Sequence, residues 1–249
     1  MNFKSRVAIV TGGSRGIGKA IAIALAKEGI SVALTYRTNK KKALSVVKKI
    51  ESKNSRAICI KLDQRSRKNI RKVIEEVHKK FGEINILINN AAIAQEKPFR
   101  TITDEDWDDM MAVNLRGPFI LCQEVLPDMI NQNWGRIVNI GSIGGQWGGI
   151  NQVHYAAAKA GLINLTKSLA RIYSCKGITS NAVSPGLVNT KMTIKELNTP
   201  KGKEKVSNIP VGRIATPEEI ADIVAFLASN KACYITGQTI NVNGGMYFG

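Results

Sequence analysis

The sequence predicts an α/β fold, a single domain built around a largely parallel sheet. Short apolar runs alternate with helical patterns along all 249 residues, with no linker, repeat or low-complexity stretch between them. The first apolar run also opens directly into a glycine-rich turn and then a helical pattern, the order of a strand–turn–helix unit.

Val7-Ala8-Ile9-Val10 is apolar throughout, as a strand buried on both faces must be. It leads into Thr11-Gly12-Gly13-Ser14-Arg15-Gly16-Ile17-Gly18, and Ala20 to Ala26 continues as a buried helix. In this context glycines point to dinucleotide binding. Gly12 permits the tight turn, Gly16 lets backbone approach a pyrophosphate, and Gly18 allows close helix packing, with Ser14, Arg15 and Ile17 completing the loop. The helix N-terminus turns free N–H groups and a positive dipole end toward the phosphates. Ser31 to Tyr36 reads as the second strand, and an NAD enzyme would place an acid near its end for the ribose hydroxyls. Here no Asp or Glu occurs until Glu51; instead Arg37, with Arg15, offers guanidinium groups to a 2′-phosphate. The expected cofactor is therefore NADPH, the plainer account of Arg37 being one more exposed cation.

The third strand, Ala57 to Leu62, lies between amphipathic helices expected at about residues 39 to 53 and 66 to 80. Asp63, just after it, meets the adenine or caps the following helix; both readings stay open. Ile84 to Ile88 is the fourth strand, ending in Asn89-Asn90-Ala91-Ala92, where small residues let a cofactor ribose lie against the backbone. Thr103-Asp104-Glu105-Asp106 caps the next helix with acids at its positive end. Asn114, within that helix, is expected to be solvated or bonded back to its own turn, and Gly117-Pro118 predicts local irregularity.

The apolar run Ile137 to Ile140 leads to Ser142 and then to Tyr155-Ala156-Ala157-Ala158-Lys159. In an Ala-rich helix, Tyr155 and Lys159 share one face. A phenol titrates near ~10, and an ammonium one turn away favours its anion. Ser142 can hydrogen-bond the same substrate oxygen, so the three groups can pass a proton to or from an alcohol or carbonyl oxygen. A Tyr-x-x-x-Lys by itself is common on helices; the cofactor turn at the start of the chain gives this one meaning. Ile178 to Val183 makes the sixth strand, closed by Ser184-Pro185-Gly186. Residues 187–208 are polar and Lys-rich, a substrate lid or a surface excursion with one or two short helices. Thr216 caps a last helix, and Thr239 to Val242 is the final strand.

The chain carries a net charge of +17 and is 44% hydrophobic, ample for a sizeable core. Residues 37–80 hold sixteen Lys and Arg against four Asp and Glu. That charge raises a rival reading, a basic scaffold or nucleic-acid-binding protein. The stretch lacks interleaved aromatic residues and matches no reading motif, so no nucleic-acid partner is expected, and solvated helix faces account for the charge. A role in attracting an anionic cofactor or acidic protein is compatible with it. No run is long and apolar enough to span a bilayer. Cys59, Cys122, Cys175 and Cys233 are scattered, so neither a metal site nor a disulfide framework is expected. A soluble, cytoplasmic protein follows as the expectation.

Taken in order and spacing, Thr11-Gly12-x-x-x-Gly16-Ile17-Gly18, Asn89-Asn90-Ala91, Asn114, Ser142, Tyr155-x-x-x-Lys159 and Pro185-Gly186 resemble the short-chain dehydrogenase/reductase family over essentially the full chain. The resemblance implies one Rossmann-type domain, a doubly wound seven-stranded parallel sheet with helices on both faces, usually assembled as a homotetramer. It implies Tyr155 as general acid/base, Lys159 lowering its pKa and holding the nicotinamide ribose, and Ser142 orienting the carbonyl. Asn114 would hold a water relaying protons to Lys159. Asn90, Ala91, Pro185, Gly186, Val188 and Thr190 would border the cofactor, Thr190 at its carboxamide. Ala92 departs from the family's usual Gly. The chain is most similar to bacterial 3-oxoacyl-acyl-carrier-protein reductases, which implies NADPH-dependent reduction of a 3-oxoacyl thioester in fatty-acid synthesis. The alternative is another ketone, such as acetoacetyl-coenzyme A or a sugar. Such reductases dock the acidic carrier through basic residues near the entrance. Lys176 matches one position conservatively, but Asn131-Gln132-Asn133 lacks the expected Arg. Gln146, Trp147 and Gln152 are the candidate substrate contacts, with Trp147 as packing the simpler account.

Overall fold

The computed structural model describes residues 6–190, 193 and 199–249. Seven parallel strands form one sheet in the order β3-β2-β1-β4-β5-β6-β7. They are β1 Val7–Val10, β2 Ser31–Tyr36, β3 Ala57–Lys61, β4 Ile86–Asn89, β5 Gly135–Ile140, β6 Ile178–Pro185 and β7 Thr239–Val242. Helices α1 Gly16–Lys27 and α2 Lys40–Glu51 cover one face together with α9 Pro217–Leu227. α3 Arg67–Phe81, α5 Gly117–Asn131 and α7 Val153–Tyr173 cover the other. The sheet is thus doubly wound, as the resemblance implies. Strands β1, β2, β4 and β5 are buried along their whole length, which is why apolar residues dominate them.

The order reverses between β1 and β4: the chain leaves β1 toward β2 and β3, then returns to the other side of β1 to lay down β4. At such a switch point the loops leaving the two strands part, opening a crevice at their carboxyl ends. The Gly12–Gly18 turn leaves β1 there, and Asn89-Asn90-Ala91 leaves β4.

Several details differ from expectation. β4 begins at Ile86 rather than Ile84, because Ile84 N–H donates to Asp128 and Asn85 uses its side chain and backbone to tie β1 to β5. β6 runs on to Pro185, pairing with β7 to its end. Asp63 does not cap α3: Ser66 does, accepting from Asn69 N–H, while Asp63 is gripped by Arg65. The helix after Thr103 divides into α4 Asp104–Met111, a π-helical turn Ala112–Arg116, and α5. Pro118 explains the break. It has no N–H for the carbonyl of Asn114, and its ring would strike that carbonyl in a regular helix. Gly117 N–H bonds instead to Ala112 O, one residue further back.

Between them come the short α6 Gly144–Trp147 and, late in the chain, α8 Pro200–Ser207. α8 falls within the expected lid at 187–208, of which 191–192 and 194–198 lie outside the described residues. No helix among the described residues is long and apolar enough to cross a membrane.

Candidate active site

The glycine turn forms a backbone cradle. Gly12 has φ 66°, and a Cβ at Gly18 would sit 2.5 Å from Gly12 O and from Asn90 Nδ2, so no side chain can fill the space. Arg15, the residue before α1, is extended and offers its helix no side-chain cap, leaving the first N–H groups for an anion. Thr11 locks the two loops of the crevice together: its Oγ1 accepts from the N–H groups of Asn90 and Ala91, and its carbonyl accepts from Asn90 Nδ2. Ser14 is half-buried at the rim, and Arg15 and Arg37 are exposed beside it, Arg37 directly after β2. Arg37 and the Arg65 guanidinium hold the Asp63 carboxyl below its usual range, Arg65 dominating through its hydrogen bonds. Asp63 is therefore already paired, through 2.6 Å, with Arg65. These residues fit a dinucleotide with an additional phosphate: a backbone cradle free of side chains, an uncapped helix start and guanidinium groups where an acid would otherwise bind ribose. Ala92 has no positive φ, so its methyl group imposes no backbone strain.

On the far side of the crevice, Gly186 lies so close to Asn243 that a Cβ would come within 2.9 Å of its Cα. Val188 is buried and bridged to Ala215. Thr190 returns toward the glycine turn, its methyl group 3.5 Å from where Gly16 would carry a Cβ. Pro185 closes β6, and its carbonyl accepts from Ile143 N–H. Gly16 and Thr190 thus approach one another across the crevice.

The catalytic candidates gather at the carboxyl end of β5. Ser142 follows the strand, and its Oγ accepts from Gly144 N–H at 3.1 Å. Tyr155 lies in the first turn of α7, where the Ser142 side chain acts on its phenol. Lys159, one turn on, is 3% exposed and donates from Nζ to Ile140 O at 2.6 Å; Nζ lies 5.7 Å from the centre of the Tyr155 ring. The expected proton affinities need correction. Burial pushes the Tyr155 phenol up, more than the hydrogen bond from Ser142 brings it down. Burial pushes Lys159 down to about 8. In a low-dielectric site each group resists charging, and the ammonium spends its hydrogen bond on Ile140 O rather than on the phenol.

Asn114 also differs from expectation. It is buried, and its side chain closes a two-point bond with the backbone of Ile93, accepting from N–H at 3.0 Å and donating to the carbonyl at 2.8 Å. The side chain therefore clamps the loop after β4, while Pro118 gives the Asn114 carbonyl no α-helical donor. Gln64 supports the same join by donating to Ala91 O and Val113 O.

The family profile described as enoyl-(acyl carrier protein) reductase matches residues 12–247. The chain belongs to the short-chain dehydrogenase/reductases. Similar members include proteins named 3-oxoacyl-acyl-carrier-protein reductase. That of Staphylococcus epidermidis is 43% identical over 98% of this chain and 99% of its own. Those of Aquifex aeolicus and Escherichia coli are 42% and 41% identical, over 99% of each chain. A solved structure, a blue fluorescent protein from a metagenomic library in complex with NADPH, superposes with a TM-score of 0.93 at 35% identity, over 100% of both chains.

Around this short-chain dehydrogenase/reductase centre, the substrate candidates divide. Gln146 turns inward: its amide nitrogen donates to Ser184 Oγ at 2.9 Å and Asn241 Oδ1 at 2.6 Å, bracing α6 on β6 and β7. Trp147 is 51% exposed and meets Tyr247 edge-on, ring centres 6.0 Å apart. Gln152 precedes α7 and reaches Glu96. Sequence reasoning missed Tyr247 and the buried His154, whose Nε2 bonds Gln95 Oε1 at 2.8 Å while Gln95 in turn donates to Asp106. Neither contact leaves a periodic signal; only the fold brings these segments together. Lys176 needs a correction. It sits in the turn after the 21-residue α7, at the end of that helix away from Tyr155, about 30 Å along the axis. Within one chain it is remote from the active-site entrance.

Proposed function

We propose that this short-chain dehydrogenase/reductase reduces a 3-oxoacyl thioester, carried on acyl carrier protein, to the 3-hydroxyacyl form with NADPH. The observation that carries the reading is the state of Tyr155: burial keeps the phenol protonated at neutral pH, beside a serine hydroxyl and a lysine. A protonated phenol is an acid, which is what reduction of a ketone requires. The resemblance to full-length 3-oxoacyl-acyl-carrier-protein reductases supports the substrate, and the similar fold in complex with NADPH supports the cofactor.

NADPH, when bound, supplies the hydride for the ketone carbon. Ser142 Oγ hydrogen-bonds the carbonyl oxygen and sets its distance from the phenol. Tyr155 Oη gives that oxygen its proton as negative charge develops there. Lys159, mostly protonated at pH 7 with its pKa near 8, opposes the charge left on the phenolate and holds the nicotinamide ribose. The Asn114 carbonyl holds a water through which Lys159 is reprotonated. Gly12, Gly16, Gly18, Ser14 and Ile17 receive the pyrophosphate, Arg15 and Arg37 the 2′-phosphate, Asp63 the adenine edge, and Asn90, Ala91, Pro185, Gly186, Val188 and Thr190 the ribose and carboxamide.

The same reading makes the protein a cytoplasmic homotetramer; exposed Trp107, Phe119, Phe226 and Tyr234 are surfaces for such an assembly to cover. It also leaves residues 187–208 to close over the substrate.

The deciding experiment follows NADPH oxidation with acetoacetyl-acyl-carrier-protein, acetoacetyl-coenzyme A and a panel of free ketones. Strong preference for the carrier-bound thioester is expected. Turnover of a free ketone or sugar alone would keep the proton chemistry and overturn the substrate.

A further inference from the structure

At the end of the sheet away from Ser142 and Tyr155 lies a second cavity of about 450 Å3, with Trp134, Arg136, Gly177, Thr179 and Cys233 among its lining residues. Arg136 stands near the start of β5 and is 3% exposed. Its guanidinium donates to three carbonyl oxygens, those of Ser229, Gly135 and Gly177, at 3.2, 2.8 and 3.1 Å. These fix its plane but bring no countercharge, and Nη2 is left without a hydrogen bond among the described residues. A second guanidinium, of Arg6, lies 3.5 Å from the centre of the Trp134 ring, against 4.3 Å for that of Arg136. Among the described residues neither arginine forms an ion pair with a carboxylate. Burial, opposed in part by Cys233 and aided to a smaller extent by Arg6, pushes Arg136 down to about 10.

Thr179 is the register partner of Arg136 on β6, so both side chains leave the sheet on one face. It is 6% exposed, and its Oγ1 has no hydrogen-bond partner. A buried hydroxyl without a partner is costly, and two clustered guanidinium groups without an acid are costlier. An oxyanion would relieve both, accepting from a charged N–H and a hydroxyl at once.

We infer that this cavity binds the oxyanion of a small molecule, a phosphate or a carboxylate, at a site separate from the nucleotide cradle. Arg136 Nη2 and Thr179 Oγ1 donate to it, and Arg6 supplies the second positive charge. The volume exceeds that of a bare anion and lies in the range of small-molecule sites, leaving room for the body of the ligand against the polar rim of Asn133, Ser174 and Asn230. The inference does not depend on the reductase reading.

The test is calorimetric titration of inorganic phosphate, and separately of acetate, into protein saturated with NADP+, which occupies the phosphate positions of the cradle. Ionic strength is held constant. One saturable site is expected, with tighter phosphate marking a phosphorylated ligand and tighter acetate a carboxylate. Thr179→Val keeps the side-chain shape and every Arg136–carbonyl bond, and Arg6→Gln changes only a half-buried cation; each should weaken binding about fivefold. Absence of saturable binding, or variants that bind as the wild type does, would overturn the assignment.

Discussion

Replacing Lys159 by methionine separates the stability of this fold from its chemistry. The ammonium is buried and its pKa is lowered from 10.5 to about 8. At ~1.36 kcal/mol per unit, keeping it charged costs the folded protein about 3 kcal/mol at pH 7. Methionine has similar length and no charge, so that cost disappears. The substitution also takes the donor from Ile140 O, and an unpaired buried carbonyl costs roughly 1–3 kcal/mol. The two effects nearly offset at neutral pH, so the pH dependence is the decisive quantity. Unfolded, the lysine holds its proton up to its ordinary pKa of 10.5; folded, only to about 8. Between those values the unfolded chain binds more protons, so wild-type stability gains with rising pH, and the penalty is fully present below the folded pKa. The variant lacks this gain. Its stability relative to wild type should therefore fall by about 2.5 kcal/mol between pH 7 and pH 10. Urea unfolding of both cofactor-free proteins at several pH values measures this, because every other titrating group cancels in the difference. Parallel stability curves would refute the buried, destabilised ammonium. Reductase activity should be lost whichever way stability moves.

Three further outcomes follow from the same geometry. Tyr155→Phe keeps the ring and removes the acid, so kcat should fall by roughly 10²–10⁴ with KM little changed; near wild-type turnover would remove Tyr155 from the proton transfer. Arg37→Asp reverses the charge after β2, and NADPH affinity should drop by about tenfold or more while NADH binds as well or better; equal losses for both would sink the 2′-phosphate contact. Pro118→Ala returns an N–H to the carbonyl of Asn114. Steady-state turnover should fall about tenfold, as for loss of one hydrogen-bonded position, and unchanged turnover would mean that this carbonyl holds no catalytic water.

Much of the site was legible because its requirements are local. A turn that brings backbone against phosphate needs glycine at Gly12 and Gly18, and the sequence shows glycine there because a Cβ at the second would strike Gly12 O and Asn90 at 2.5 Å. A helical turn puts Tyr155 and Lys159 on one face wherever the helix lies. Thr103 and Thr216 announce helix starts through capping boxes that close within four residues. Pro118 predicted the irregular helix from its missing N–H, though not the form the irregularity takes.

What local pattern could not supply were contacts between segments distant in the chain. The pairing of Asn114 with Ile93, of Gln146 with Ser184 and Asn241, and of Trp147 with Tyr247 exists because parallel strands lay their carboxyl ends side by side. The direction in which Tyr155 and Lys159 are pushed also waited on burial. Spacing brings the two groups together, but only the surrounding low-dielectric core sets which protonation state each prefers.

By itself, then, the sequence determined the alternating α/β architecture, the glycine turn and the placing of Tyr155 and Lys159 on one helix face, since each depends on backbone geometry within a few residues. Tertiary structure alone decided that Lys176 lies a helix length from Tyr155 in the same chain, that Ser66 rather than Asp63 caps α3, and that Arg136 and Thr179 share a cavity with no acid among its described lining residues. Those facts depend on distance, burial and partner choice across the fold, and such quantities acquire values only when the whole chain packs.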